Sequence, residues 1–138
     1  MVNEEKIRKV WSSNAFMNTL GITIESVGEG EAVLKMSIDF SIHTNHWLGV
    51  HGGALAALAD SVTGILCASV GKIAQTMNMN IDYISNLRLD GVAIIHGKIK
   101  HLGKSTIVIN SEIRDDKDNL LCSISNIMFI SGEFNDIL

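Results

Sequence analysis

From Gly52 to about Val70 the chain is apolar nearly all the way round a helical wheel, with one carboxylate, Asp60, inside the run. A helix of that kind is enclosed on most sides rather than laid on a surface, so other elements must wrap it. We expect this central helix over residues 52–71, with Gly71 ending it as a glycine C-cap. The chain downstream supplies the wrapping. Polar and apolar residues alternate through Met77, Met79, Ile81 and Tyr83, then from Val92 to Lys100, then at Ile107, Ile109 and Ile113, then from Leu120 to Ile130. That period of two predicts four strands. Their connections, Leu89-Asp90-Gly91, Leu102-Gly103-Lys104 and Asp115 to Asn119, are short turn sequences suited to antiparallel neighbours.

Upstream, Ile22–Val27 and Glu31–Ile38 alternate about Gly28-Glu29-Gly30 and read as a hairpin. Residues 1–18 place Ile7, Val10, Trp11 and Ala15 at helical spacing, which predicts an N-terminal amphipathic helix. Phe40 to Val50 has no sustained period and is expected to be a loop. The architecture that buries all these apolar faces together is α+β: one curved antiparallel sheet of about six strands around one long helix. The length of 138 residues suits a single domain over 1–138.

Composition narrows the function. A net charge of -4 argues against a general nucleic-acid binder, whose affinity comes from clustered Lys and Arg. Cys67 and Cys122 lie in apolar stretches without zinc-site spacing and are expected to be buried thiols. His43, His46 and His96 are read as solvated or loop histidines, and no metal is expected. The first residues, MVNEEKIRKVW, lack the apolar core of an export signal. Polar residues break the run from Ala54 to Val70, which is short for a membrane span of about 20 residues. A soluble, cytoplasmic protein is the expectation.

Two features carry chemistry. An ionised carboxylate among apolar residues is costly unless paired, hydrogen-bonded or used, and desolvation would raise its pKa. Asp60 is therefore a candidate acid or base; equally, it could cap a neighbouring element or face solvent at a subunit edge. His51-Gly52-Gly53 begins the helix, where free backbone N–H groups bind anions and glycine lets a ligand approach. Two glycines before a helix also serve as plain turn residues.

The run HTNHWLGVHGGALAALAD, from His43 to Asp60, resembles the active-site segment of hotdog-fold acyl-CoA thioesterases of the phenylacetate-degradation and THEM-like type. The likeness continues through Thr76 to Tyr83 and through His101-Leu102-Gly103-Lys104-Ser105, and covers roughly residues 20 to 130. It implies the same helix-in-sheet fold, and a homodimer, often a homotetramer built as a dimer of dimers, with active sites at the subunit interface. It implies that the Gly52 N–H is the oxyanion donor, with Asn45 and His51 shaping the loop around it. Asp60, from the partner subunit, would be nucleophile or general base, and Thr76 would orient the water or the carboxylate. It nominates Ser85, Asn86, Arg88, His101, Gly103, Lys104 and Ser105 as contacts for the coenzyme A part of the substrate, with no separate cofactor. Lys98 and Lys100 add local positive charge or simply face water. Val62, Ile65, Leu66, Met77 and Met79 are expected to line an acyl pocket for a medium-chain fatty or aryl group.

The chain departs from the resemblance where relatives often carry Pro-Ala, here Asn86-Leu87, and where many have Gly, here Asp118-Asn119. Other readings remain. A hotdog dehydratase would need a proline-bearing segment, and the chain has no proline. A non-catalytic acyl-CoA sensor would normally carry a DNA-binding segment, for which about 20 N-terminal residues are too few. A purely structural role would leave Asp60, Asn45, Thr76 and the double glycine as folding features.

Overall fold

A computed structural model describes residues 2–137. The order is α1 (Glu4–Trp11), α2 (Ala15–Leu20), β1 (Ile22–Gly28), β2 (Glu31–Ser37), α3 (Phe40–His43), α4 (Gly52–Ser69), β3 (Lys72–Tyr83), β4 (Val92–Leu102), β5 (Thr106–Asp115), β6 (Leu120–Glu133) and a 3-10 turn, Phe134–Asp136. The strands form one sheet in the order β1-β2-β4-β5-β6-β3, every pair antiparallel. This is the hotdog arrangement: a six-stranded sheet around one long helix.

The N-terminal helix expected over 1–18 is two helices, and Met1 lies outside the described residues. The Asn3 side chain caps α1, and Asn14 caps α2 by accepting from Met17 N at 3.0 Å. Ser12, Ser13 and Asn14 favour such side-chain-to-backbone bonds over helix interior, so the chain breaks there. The central helix also stops sooner than residue 71: it ends at Ser69 with Val70 as C-cap, and Gly71 follows in the left-handed region at φ 81°. That glycine turns the chain straight into β3, which starts at Lys72, before its alternation becomes visible at Met77.

On its inner face α4 presents Leu55, Leu58, Ala59, Val62, Ile65 and Leu66, all buried, to the apolar rows Leu34, Met36, Ile95, Ile107, Ile109, Ile113 and Leu121 of the sheet. Each fully buried Leu or Ile is worth about 1.5–3 kcal/mol. The helix lies close enough that a Cβ at Gly97 of β4 would come 2.8 Å from Leu66 Cδ1. Glycine is required there by space. Burial of α4 is one-sided within a chain, however: Gly53 and Asp60 on its other side are exposed.

The segment expected to be an irregular loop holds the short helix α3, capped by Asp39, whose Oδ1 accepts from Ser41 N at 2.9 Å. His43 at its end is not a solvated histidine; it is 1% exposed. Its Nδ1 accepts from Asp39 N at 2.8 Å, so Nε2 carries the proton and donates to the Leu20 carbonyl at 2.7 Å. In the β5–β6 turn it is Asp118 that adopts positive φ, 66°, rather than Asn119. Asn119 instead bonds Asp115 through backbone and side chain.

Candidate active site

The loop before α4 closes on itself. Asn45 Oδ1 accepts from Trp47 N at 2.9 Å and Gly49 N at 3.0 Å, while Asn45 N donates to Gly49 O at 2.8 Å. These bonds hold Leu48 at φ 63°, a conformation rare for a bulky residue. His51 N then donates to His43 O at 2.7 Å, which pins the loop's end to its beginning. The His51 ring turns to the helix rather than to Asn45. Its Nδ1 accepts from Gly53 N at 2.8 Å, so it caps the helix and does not hold Asn45, whose carbonyl oxygen is taken up by the loop backbone.

These contacts single out one donor. The N–H groups of His51, Gly53 and Ala54 are all engaged, and among the described residues that of Gly52 donates to nothing. It stands at the positive end of an 18-residue helix. The Tyr83 hydroxyl donates to Gly52 O at 2.7 Å, and the Tyr83 ring would lie 3.4 Å from a Cβ at position 52. The donor therefore sits on a peptide gripped from both sides. The part played by Tyr83 was not anticipated from its place in an alternating strand; nothing in that pattern says which helix end the hydroxyl reaches.

Asp60 lies two turns along α4. It is exposed in the single chain rather than desolvated, because the helix face that bears it is not covered by the chain's own sheet. Thr76 of β3 donates from Oγ1 to Asp60 Oδ1 at 2.7 Å. The pair opens into a cleft of about 770 Å³, lined among others by Gly53, Ala57, Gly64, Met79 and Met128. Of the expected acyl-pocket residues only Met79 is there. Val62, Ile65 and Leu66 face the opposite way into the core, and Met77 is 61% exposed on β3. The helical wheel shows no face preference in so uniformly apolar a run, and the sheet decides it.

Gly52 and Asp60 cannot serve one carbonyl from one chain. Eight residues of α-helix separate them by about 12 Å. The residues nominated for coenzyme A divide the same way. Ser85, Asn86 and Arg88 lie in the β3–β4 connection, and His101, Gly103, Lys104 and Ser105 lie at the far end of β4, about 30 Å away along an 11-residue strand. In register, Tyr83 pairs with Cys122, while Thr76 pairs with Met128, which pairs with Ile107. The Arg88 group is thus at the Gly52 end of the sheet and the Lys104 group at the Asp60 end.

Arg88 is already engaged, reaching Asp90 Oδ1 at 3.2 Å and Asp116 Oδ1 at 3.3 Å. Ser85 Oγ donates to Leu120 O at 2.6 Å and holds the connection to the sheet, and Asn86 is exposed. Gly103 makes a tight turn in which a Cβ would lie 3.1 Å from Thr106 O. Lys104 is exposed, with no carboxylate partner among the described residues. Lys98 lies 3.9 Å from Glu31 on the outer sheet face, away from the cleft. No group of three His, Cys, Asp or Glu among the described residues is placed to hold a metal ion.

Comparison with known proteins places this geometry in a class. The thioesterase superfamily profile matches residues 49–122, the stretch that runs from the end of the loop before α4 into the start of β6. The chain belongs to the thioesterase superfamily, enzymes that hydrolyse thioesters. It is 31% identical over 104 residues to the acyl-coenzyme A thioesterase PaaI of Escherichia coli K12, covering 75% of this chain and 74% of that protein. The solved structure of E. coli PaaI superposes with a TM-score of 0.89 at 25% identity, covering 94% of each chain. A hypothetical thioesterase from Streptococcus pneumoniae TIGR4, solved with coenzyme A, superposes with a TM-score of 0.84 at 27% identity over 91% of this chain and 97% of that one. Other structures of the Streptococcus protein carry alanine in place of an aspartate and of a threonine sixteen positions further on, the separation of Asp60 and Thr76.

Proposed function

We propose that the protein hydrolyses acyl-CoA thioesters to the free acid and coenzyme A in composite sites, each taking Gly52 from one chain and Asp60 from another. The observation that carries this reading is the separation along α4: a free donor on half-buried Gly52 and a threonine-bonded carboxylate on exposed Asp60, too far apart for one thioester. A two-fold axis through the middle of β3 sets the Asp60 end of one chain against the Gly52 end of its partner. The 12-residue β3 is an unpaired sheet edge with no proline and only Lys72 and Asp82 as charges, open to pairing with its own copy. Two such dimers associate as a tetramer.

In this site the thioester carbonyl accepts from the Gly52 N–H, with the helix dipole behind it. As general base, Asp60 takes a proton from water; the hydroxide adds to the carbonyl carbon, and collapse of the tetrahedral intermediate breaks the C–S bond and expels the thiolate. As nucleophile, the carboxylate itself adds to the carbonyl carbon, the C–S bond breaks to release the thiolate, and water hydrolyses the resulting mixed anhydride to the free acid and the regenerated carboxylate. Thr76 fixes the carboxylate in either case. The coenzyme A phosphates meet Lys104 and His101 at the rim. The medium is the cytoplasm, and coenzyme A enters as part of the substrate with no separate cofactor.

The test is thiol release from a panel of short-chain, medium-chain, long-chain and aryl acyl-CoAs, with Asp60→Ala beside the wild type. Release that falls about 10²–10⁴-fold in the variant is the expected result. No release from any thioester, with acyl-CoA still raising the melting temperature, would instead establish a binding module.

A further inference from the structure

One wall of the cleft beside Asp60 comes from a part of the chain that lies outside the matched profile. Helix α1 ends at Trp11, and the break at Ser12 to Asn14 starts α2, so that Trp11, Phe16 and Met17 border the cleft together with Thr76 and Met79 of β3. The position of α1 is fixed. Ile7 is fully buried, Arg8 Nη1 donates to Ile24 O at 3.0 Å, and Lys6 Nζ donates to Phe134 O at 3.0 Å. The Trp11 indole is half-buried and packs against the buried ring of Phe134, with 6.1 Å between centroids. It also rests on α4 at Gly64, where a Cβ would come 3.1 Å from Trp11 Cζ2. The missing side chain lets the edge of the indole down onto the helix.

Gly64 stands one helical turn beyond Asp60, about 6 Å along the axis. Among the described residues that line the cleft Asp60 alone is charged, so the coenzyme A phosphates find no cation there and the acyl group is the part of the substrate that suits it. In the composite site the partner subunit's Gly52 meets Asp60, and the two-fold axis sets residues 52–60 of one α4 against the same stretch of the other. An acyl group leaving the carbonyl has room only outward, over Ser61 and Gly64, and there it meets the indole. We propose that Trp11 is the end wall of the acyl pocket and limits the substrate to acyl groups that fit within one helical turn of Asp60, a short chain or a single ring, an inference that rests on the acyl-CoA reading and names the size of its substrate. Each methylene beyond the wall must displace a side chain held between Phe134 and α4. One methylene more or less in an apolar pocket changes discrimination by about 10- to 200-fold.

The test measures kcat/KM for acetyl-, butyryl-, hexanoyl- and decanoyl-CoA. The wild type should favour hexanoyl-CoA or a shorter chain over decanoyl-CoA by about tenfold or more, Trp11→Ala should raise the decanoyl-to-hexanoyl ratio about tenfold, and Trp11→Phe should restore most of the wild-type discrimination. Equal ratios in wild type and Trp11→Ala overturn the proposal, and so does a wild type that prefers decanoyl-CoA. Binding supplies a readout that needs neither turnover nor the alanine variant, so a folding defect does not shield the idea. In Trp47→Phe the indole of Trp11 is the one remaining of two. Its emission should shift on titration with the non-hydrolysable hexanoyl-CoA thioether and stay unchanged with coenzyme A alone. An emission unmoved by the thioether, or moved equally by coenzyme A, overturns the proposal. The two readings fail separately: turnover with a length profile indifferent to Trp11 sinks only the wall, and a Trp11 response to the thioether without turnover of any acyl-CoA sinks only the hydrolase.

Discussion

The Tyr83 hydroxyl donates to the Gly52 carbonyl at 2.7 Å, joining the end of β3 to the first turn of α4. This bond orients the peptide that carries the free N–H. Tyr83→Phe removes it and leaves the ring in place. The expected outcome is a fall of several-fold in kcat with KM nearly unchanged, and a loss of about 1 kcal/mol in denaturant unfolding. A rise in KM with unchanged kcat would show that Tyr83 acts on substrate binding instead.

Thr76 holds Asp60 by a bond to a charged group, worth about 1.5–3 kcal/mol. Thr76→Val should therefore lower kcat about 10- to 100-fold, and Thr76→Ser should restore most of it. In an Asp60→Asn background the further effect of Thr76→Val should be small, because the two act as a unit. Full additivity in that double-mutant cycle would break the link between them.

A Cβ at Gly53 would sit 2.9 Å from His51 Nδ1. Gly53→Ala is expected to push the imidazole off the Gly53 N–H and cost about 1 kcal/mol of stability through the lost cap. His51→Ala should cost a similar amount, and the two together little more than either. Thermal unfolding of the three variants measures this directly.

Burial pushes the Cys67 thiol up to about 12 and the Cys122 thiol up to about 11. Thiolate is the reactive form, so neither should react with a disulfide reagent in the folded protein at neutral pH. Both should react once the protein is unfolded in guanidinium. Rapid native labelling of either would contradict their place in the core.

Asp115 accepts from Asn119 Nδ2 and N and from Lys117 N, and these bonds hold its carboxyl below the usual 3.8. Because the folded pKa is the lower one, its contribution is present above the unfolded pKa near 4 and is lost as pH falls through the folded value. Asp115→Asn should flatten the acid limb of the stability curve below about pH 4 while leaving its slope near neutrality unchanged. An unaltered acid limb would mean that the turn is held by its backbone alone.

Most of the fold was legible because it rests on periodicity. Alternation set β4, β5 and β6 within a few residues, and an all-round apolar run with a following glycine located α4. Most of the failures share a cause: they depended on a partner distant in the chain. His43 looks like one more polar loop residue until Leu20 and Asp39 close on its two nitrogens. Val62, Ile65 and Leu66 cannot be told from pocket residues while every helix face is apolar. The break at Ser12 to Asn14 was readable from cap chemistry, but the amphipathic pattern running through it masked the stop.

Asp60 and the Gly52-Gly53 helix start were nominated from residue type and position, and Thr76 from the family resemblance of the segment that carries it; all three are read from the sequence. Which helix face is open, which N–H is left free, and where the two halves of the site stand are properties of packing. The sheet covers one side of α4 and leaves Asp60 on the other. His51 and the loop engage the N–H groups of His51, Gly53 and Ala54 but not that of Gly52, and the rise of an α-helix keeps that donor about 12 Å from the carboxylate. Sequence by itself determined the groups available; only the tertiary structure decided that one chain separates them.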